Sequence, residues 1–160
     1  MARTSSLSGD EMSKAEFVQK YGGIYEHSAW VAEQAHGASD IPAAMRAAVE
    51  AAGHESQLAL LRAHPDLGEK LDTLTPDSTA EQQGAGLNLC SPEEFQEFHQ
   101  LNNAYKEKFG FPFIVAVKGL NRHDILERFR QRIHNSQEAE FRTALEQVHR
   151  IAGFRLADLS

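Results

Sequence analysis

Residues 91–117 read SPEEFQEFHQLNNAYKEKFGFPFIVAV, and a change of period inside this stretch decides the fold. Behind the start signal Ser91-Pro92, the side chains of Phe95, Phe98, Leu101, Asn102, Tyr105 and Phe109 recur at helical spacing and form one face. The pattern then breaks. Phe111 to Val117 is a continuous apolar run that contains Pro112 and three β-branched residues, a chemistry that favours extended chain. No matching strand is evident elsewhere, so this segment stands alone in a helical protein. Its backbone N–H and C=O groups therefore need partners from helix ends, water or a ligand. Two readings stay open: a buried connector between helices, or a backbone edge that faces a ligand.

Outward from this stretch the helical period prevails. Ser13 and Glu16 form a capping box ahead of Phe17, Val18 and Tyr21, and Gly22-Gly23 ends that helix. A second helix is expected over Glu26 to Ala35, with Trp30 and Val31 inward. Asp40 caps a third, with Pro42 in its first turn and Gly53 closing it. Leu58, Leu60 and Leu61 mark a fourth, which must stop near Ala63 because Pro65 disfavours helical backbone at His64. A loop runs from His64 to Asp77, and Ser78 with Glu81 reads as another capping box. Asn121 caps a helix that buries Ile125, Leu126, Phe129 and Ile133. Ser136 opens the last helix, which buries Phe141, Leu145, Val148 and Ile151 and is expected to end at Gly153. The fold class is all-α: a single-domain bundle of about seven to nine helices with one extended segment, 111–117. Residues 1–12 read as a flexible tail, and 13–160 as the domain.

Charge narrows the partners. A net charge of −7, with no Lys/Arg cluster longer than a helical face, argues against nucleic acid or an anionic membrane. No apolar run approaches the roughly 20 residues that a membrane helix needs. The start of the chain lacks the apolar core of a secretory signal, and its ADLS end is not an SKL-type peroxisomal address. A single cysteine, Cys90, allows no internal disulfide and no CxxC metal site. A bacterial cytoplasm fits these features.

The eight histidines show no HExxH or other strong metal-ligand spacing, so no metal is expected. No P-loop, nucleophile elbow or dinucleotide fingerprint is present. Among the histidines, His64 has a distinctive setting, at the exit of an apolar helix and directly before Pro65. It reads either as a cap on the helix carbonyls or as a general acid/base. Glu81 reads either as the returning member of the Ser78 capping box or as a pocket carboxylate. Arg155 reads either as a surface residue one turn past the last helix or as a carboxylate clamp.

Several segments together resemble the OHCU decarboxylase family. These are FVQKYGGIYEHSAW (17–30), HPDL (64–67), STAEQ (78–82) leading into AGL (85–87), NNAYKEKFGFPFIVAVKG (102–119) and the closing IAGFRLADL (151–159). The resemblance implies an all-α bundle, commonly a homodimer. It implies decarboxylation of 2-oxo-4-hydroxy-4-carboxy-5-ureidoimidazoline (OHCU) to (S)-allantoin in urate degradation, without a cofactor. By that likeness His64 is the catalytic histidine and Glu81 the acidic residue beside the substrate. Pro65, Ser78, Gln82 and Arg155 are substrate contacts, and Phe113, Ile114, Val115, Ala116 and Val117 contribute backbone contacts. The partner is a small ureidoimidazoline. One departure is Gly153, where relatives often carry a larger residue. Two alternatives remain: a hydrolase or isomerase of a related ureide, and a non-catalytic helical interaction module.

Overall fold

Most helix starts are local decisions made by one side chain. The computed structural model describes residues 12–67 and 75–159. The expected tail, all but Met12, and the middle of the loop after Leu67 lie outside the described residues. Ser13 Oγ accepts from the Glu16 N–H and Glu16 returns a bond from the Ser13 N–H, which sets helix α1 at Lys14–Tyr21. Asp40 caps α3 (Ile41–Ala51), and the chain turns through Gly53 into α4 (His54–Arg62). Capping boxes at Ser91/Glu94 and Asn121/Asp124 open α6 (Pro92–Phe109) and α7 (Arg122–Arg132). Each box satisfies N–H groups that a helix start leaves open.

Three expectations are corrected. The second helix, α2, covers Ala29–Ala35 and not Glu26 to Ala35. His27 sits at φ +49°, a conformation that a right-handed helix cannot contain, so the helix begins after it. Ser78 does not cap α5. That helix is Pro76–Gly84, and Thr75 Oγ1 accepts from the Ser78 N–H at 3.2 Å. Pro76, which has no N–H to satisfy, fits the first helical position and moves the start three residues upstream. The last helix, α8, runs Gln137–Leu159 straight through Gly153, so Arg155 lies inside it and not beyond it. A helix-interior glycine costs only about 1 kcal/mol against alanine, and a continuing apolar face outweighs that. Among the described residues there is also a short 3₁₀ turn, Leu87–Leu89.

The chain forms two compact units. One comprises Met1–Ala63 with Ile151–Ser160, and the other His64–Arg150. In the first, Phe17, Val31, Ala32, Ala35, Met45, Val49, Leu60 and Leu61 are fully buried and form the core. In the second, the core is aromatic. The Tyr105 ring lies 4.4 Å from Phe109, 5.5 Å from Phe113 and 5.8 Å from Phe129, and Phe113 stacks on Phe129 at 3.9 Å.

The extended segment leaves α6 through Gly110. At φ +81° this residue takes the left-handed conformation that ends helices, while its N–H bonds to the Lys106 carbonyl at 2.8 Å. Phe111 to Val117 then runs without helix or strand pairing, and every one of these seven residues is buried. Among the described residues the all-α class, with one buried apolar segment outside helix at 111–117, is as the period predicts.

Candidate active site

The site builds from the HPDL turn. Of the eight histidines, only His64 and His149 are buried, and His64 is 8% exposed. The residues after His64-Pro65 are tied down on two sides. Gln82 Nε2 donates to the Asp66 carbonyl at 3.3 Å from α5, and Asn102 Nδ2 donates to the Leu67 carbonyl at 2.9 Å from α6. Lys106, one turn further along α6, pairs with the Asp66 carboxylate at 2.7 Å. On α5, Ser78 and Gln82 are buried and Glu81 is half-buried. Spacings of three and four residues put Ser78, Glu81 and Gln82 on one face. Without the capping role, Glu81 loses the structural duty that its spacing suggested. Asn102 Oδ1 is buried with no hydrogen-bond partner among the described residues.

The second arm is the extended segment. Arg132 Nη1 donates to the Ile114 carbonyl at 2.6 Å, and Gln147 Oε1 accepts from the Ala116 N–H at 2.9 Å. Val117 O accepts from the Leu120 N–H. The N–H and C=O of Phe113 and Val115 meet no partner among the described residues. Buried backbone groups are almost always paired, so this is an edge that requires a ligand or water. Both arms are anchored on α6. Asn102 holds the HPDL turn, and Tyr105, one turn on and on the same buried face, packs against Phe113.

Arg132 is itself fixed. It donates to the fully buried Glu140 carboxylate through Nε at 3.1 Å and Nη2 at 2.9 Å, and it lies 4.4 Å over the Phe113 ring. Tyr105 also donates to Glu140, as does Asn135 at 2.9 Å. Burial and the neighbouring Glu140 hold the Tyr105 phenol far above its ordinary pKa, so it stays protonated as the donor. Sequence reading missed Arg132, Glu140 and Gln147. They lie on different elements from the segment they support, and no local spacing reports such a network.

Arg155 belongs to the other unit. It is neither a surface residue nor a side chain past the helix end. It is buried, and Nη1 donates to Glu26 Oε1 at 2.9 Å and to the Gly23 carbonyl at 3.1 Å.

Among the described residues no group of three His, Cys, Asp or Glu side chains could hold a metal ion. Cys90 makes a poor nucleophile, because burial raises its thiol pKa and Glu94 adds to the rise. A buried imidazole, a carboxylate without a capping duty and an open amide edge suit proton transfer on a small, planar, amide-rich substrate. In chemical class, such a set of groups fits acid/base catalysis.

Comparison with known proteins narrows the class. The family model described as OHCU decarboxylase matches residues 10–157. A 2-oxo-4-hydroxy-4-carboxy-5-ureidoimidazoline decarboxylase of Haloferax volcanii is 47% identical over 148 residues, covering 89% of this chain and 88% of that protein. The uric acid degradation bifunctional protein PucL of Bacillus subtilis is 42% identical over 156 residues, covering 94% of this chain but 31% of that protein. A crystal structure of OHCU decarboxylase in the presence of (S)-allantoin superposes with a TM-score of 0.71 at 25% identity, covering 92% of this chain and 98% of that one. The chain belongs to the OHCU decarboxylase family. Among the described residues no helix is long and apolar enough to cross a membrane.

Proposed function

We propose that the chain removes CO2 from OHCU and releases (S)-allantoin, with His64 as the general acid/base. The observation that carries this reading is the unpartnered backbone edge at Phe113 and Val115, buried in the same compact unit as His64. Breaking the C–CO2 bond leaves its electron pair on the hydroxyl-bearing ring carbon. The adjacent C=N of the ring accepts that pair, so the substrate is its own electron sink and the reading needs no cofactor. The enol that results loses its hydroxyl proton and takes a proton on one face of the ureido-bearing carbon, which sets the (S) configuration. His64 delivers or relays that proton. Glu81 and Ser78, with Gln82 and Pro65, orient the hydroxyl and ureido groups, and the backbone from Phe113 to Val117 binds the ring amides. A preorganised donor set of this kind stabilises charge as it develops.

Arg155 enters the reading through the family resemblance alone. So does the homodimer, while the cytoplasmic setting and the treatment of residues 13–160 as one functional domain are carried from the features of the sequence. The test is to generate OHCU enzymatically from urate in the cuvette and follow circular dichroism. This reading expects rapid appearance of the (S)-allantoin signal with release of CO2. Racemic allantoin at the uncatalysed rate would refute it, and ring opening of allantoin would favour a ureide hydrolase.

A further inference from the structure

We propose that Gln147 and Arg132 are positioning residues that fix which edge of the 113–117 segment receives the substrate. The inference rests on the function proposed above. In an extended chain, alternate residues present their N–H and C=O groups to opposite edges. Ile114 and Ala116 share one edge, where Arg132 donates to the Ile114 carbonyl and Gln147 accepts from the Ala116 N–H, while the Ile114 N–H and the Ala116 carbonyl meet no partner among the described residues. Phe113 and Val115 share the other edge, where no described residue bonds to them. Val115 therefore presents a donor and an acceptor side by side, the complement of a lactam N–H beside its C=O. A rotation of the segment about its own axis would turn that pair away from the ligand. Two side chains prevent the rotation, one acting on an acceptor and the other on a donor.

The two props differ in kind. Arg132 is locked by Glu140 and by the Phe113 ring, so removing it would strand a buried carboxylate and disturb the core. Gln147 is half-buried and lines a cavity of about 480 Å³ between α7 and α8, beside Thr143, Gln131 and Val115. Its replacement leaves the aromatic core intact, which makes it the position to test. The Ala116 N–H demands an acceptor, so the amide oxygen, and not its NH2, must face the segment.

The test compares Gln147→Leu, which removes the acceptor, with Gln147→Glu, which keeps one at the same reach. (S)-Allantoin binding by calorimetry, KM and kcat for OHCU, and Tm are measured for both. Gln147→Leu is expected to raise Kd for (S)-allantoin and KM about tenfold, the worth of one well-formed hydrogen bond, with Tm nearly unchanged. Gln147→Glu is expected to restore both to within about threefold, since a carboxylate accepts the same bond. If Leu lowers Tm, Gln147→Met, of similar length and without a strong acceptor, takes its place in the comparison. A competent wild type whose Gln147→Leu or Gln147→Met variant binds and turns over normally overturns this inference alone. So does a Gln147→Glu variant as impaired as the variant that lacks the acceptor. A wild type that neither binds (S)-allantoin nor turns over OHCU overturns the proposed function, and this inference with it.

Discussion

Thr75 Oγ1 accepts the Ser78 N–H at 3.2 Å, and this bond sets the start of α5 one turn before the point that the spacing of Ser78 and Glu81 suggests. The consequence reaches Glu81. As a capping-box member it would close the helix start, but it lies mid-helix on the same face as buried Ser78 and Gln82. Thr75→Ala should therefore lower stability by about 1 kcal/mol, as loss of an N-cap does. Glu81→Gln should change stability by less than about 0.5 kcal/mol. The same Glu81 substitution should cut kcat/KM at least about tenfold. Denaturant unfolding and steady-state kinetics on the two variants check this, and a Glu81→Gln variant that is destabilised yet fully active would restore the capping role.

Arg155 and Glu26 form an ion pair whose side chains are 5% and 1% exposed. Breaking such a pair by neutralising one partner strands a buried charge, at a cost of about 3–5 kcal/mol. Glu26→Gln should therefore unfold at markedly lower denaturant. Any activity lost with it should be judged against that instability before Arg155 is credited with binding the substrate. A Glu26→Gln variant with wild-type stability would show that the pair is not what holds this arginine.

Gly153 interrupts α8 with no side chain, and a Cβ built there meets nothing within 4 Å. Gly153→Ala should stabilise the chain by about 0.5–1 kcal/mol, chiefly by restricting the unfolded state. Thermal melts check it, and an unchanged or lower Tm would mean that α8 is not continuous through this position.

Much of the fold was legible because helix starts are written locally. Ser13, Asp40, Ser91 and Asn121 each announce a helix within four residues, and each does cap one. At α5 the spacing of Ser78 and Glu81 suggested the wrong cap, because the start set by Thr75 and Pro76 lies one turn upstream. Gly153 misled because whether a glycine ends a helix depends on the conformation the backbone takes beyond it, which composition does not report. The site was half legible. The setting of His64 before Pro65 singled it out, and its burial sets it apart from all the other histidines but His149. The bonds that hold the segment after Phe111 were not legible. Arg132 and Gln147 reach it from 18 and 31 residues away, and Glu140, which holds Arg132, meets Tyr105 from 35 away.

The role of His64 is the central claim, and replacing that residue tests it most directly. His64→Asn keeps the size and a polar end but removes the titrating imidazole. With OHCU generated in the cuvette and (S)-allantoin followed by circular dichroism, the variant should fold as wild type. Its turnover should fall by about 10² to 10⁴, the usual worth of a general acid/base. A folded His64→Asn enzyme that forms (S)-allantoin at close to the wild-type rate would contradict the account.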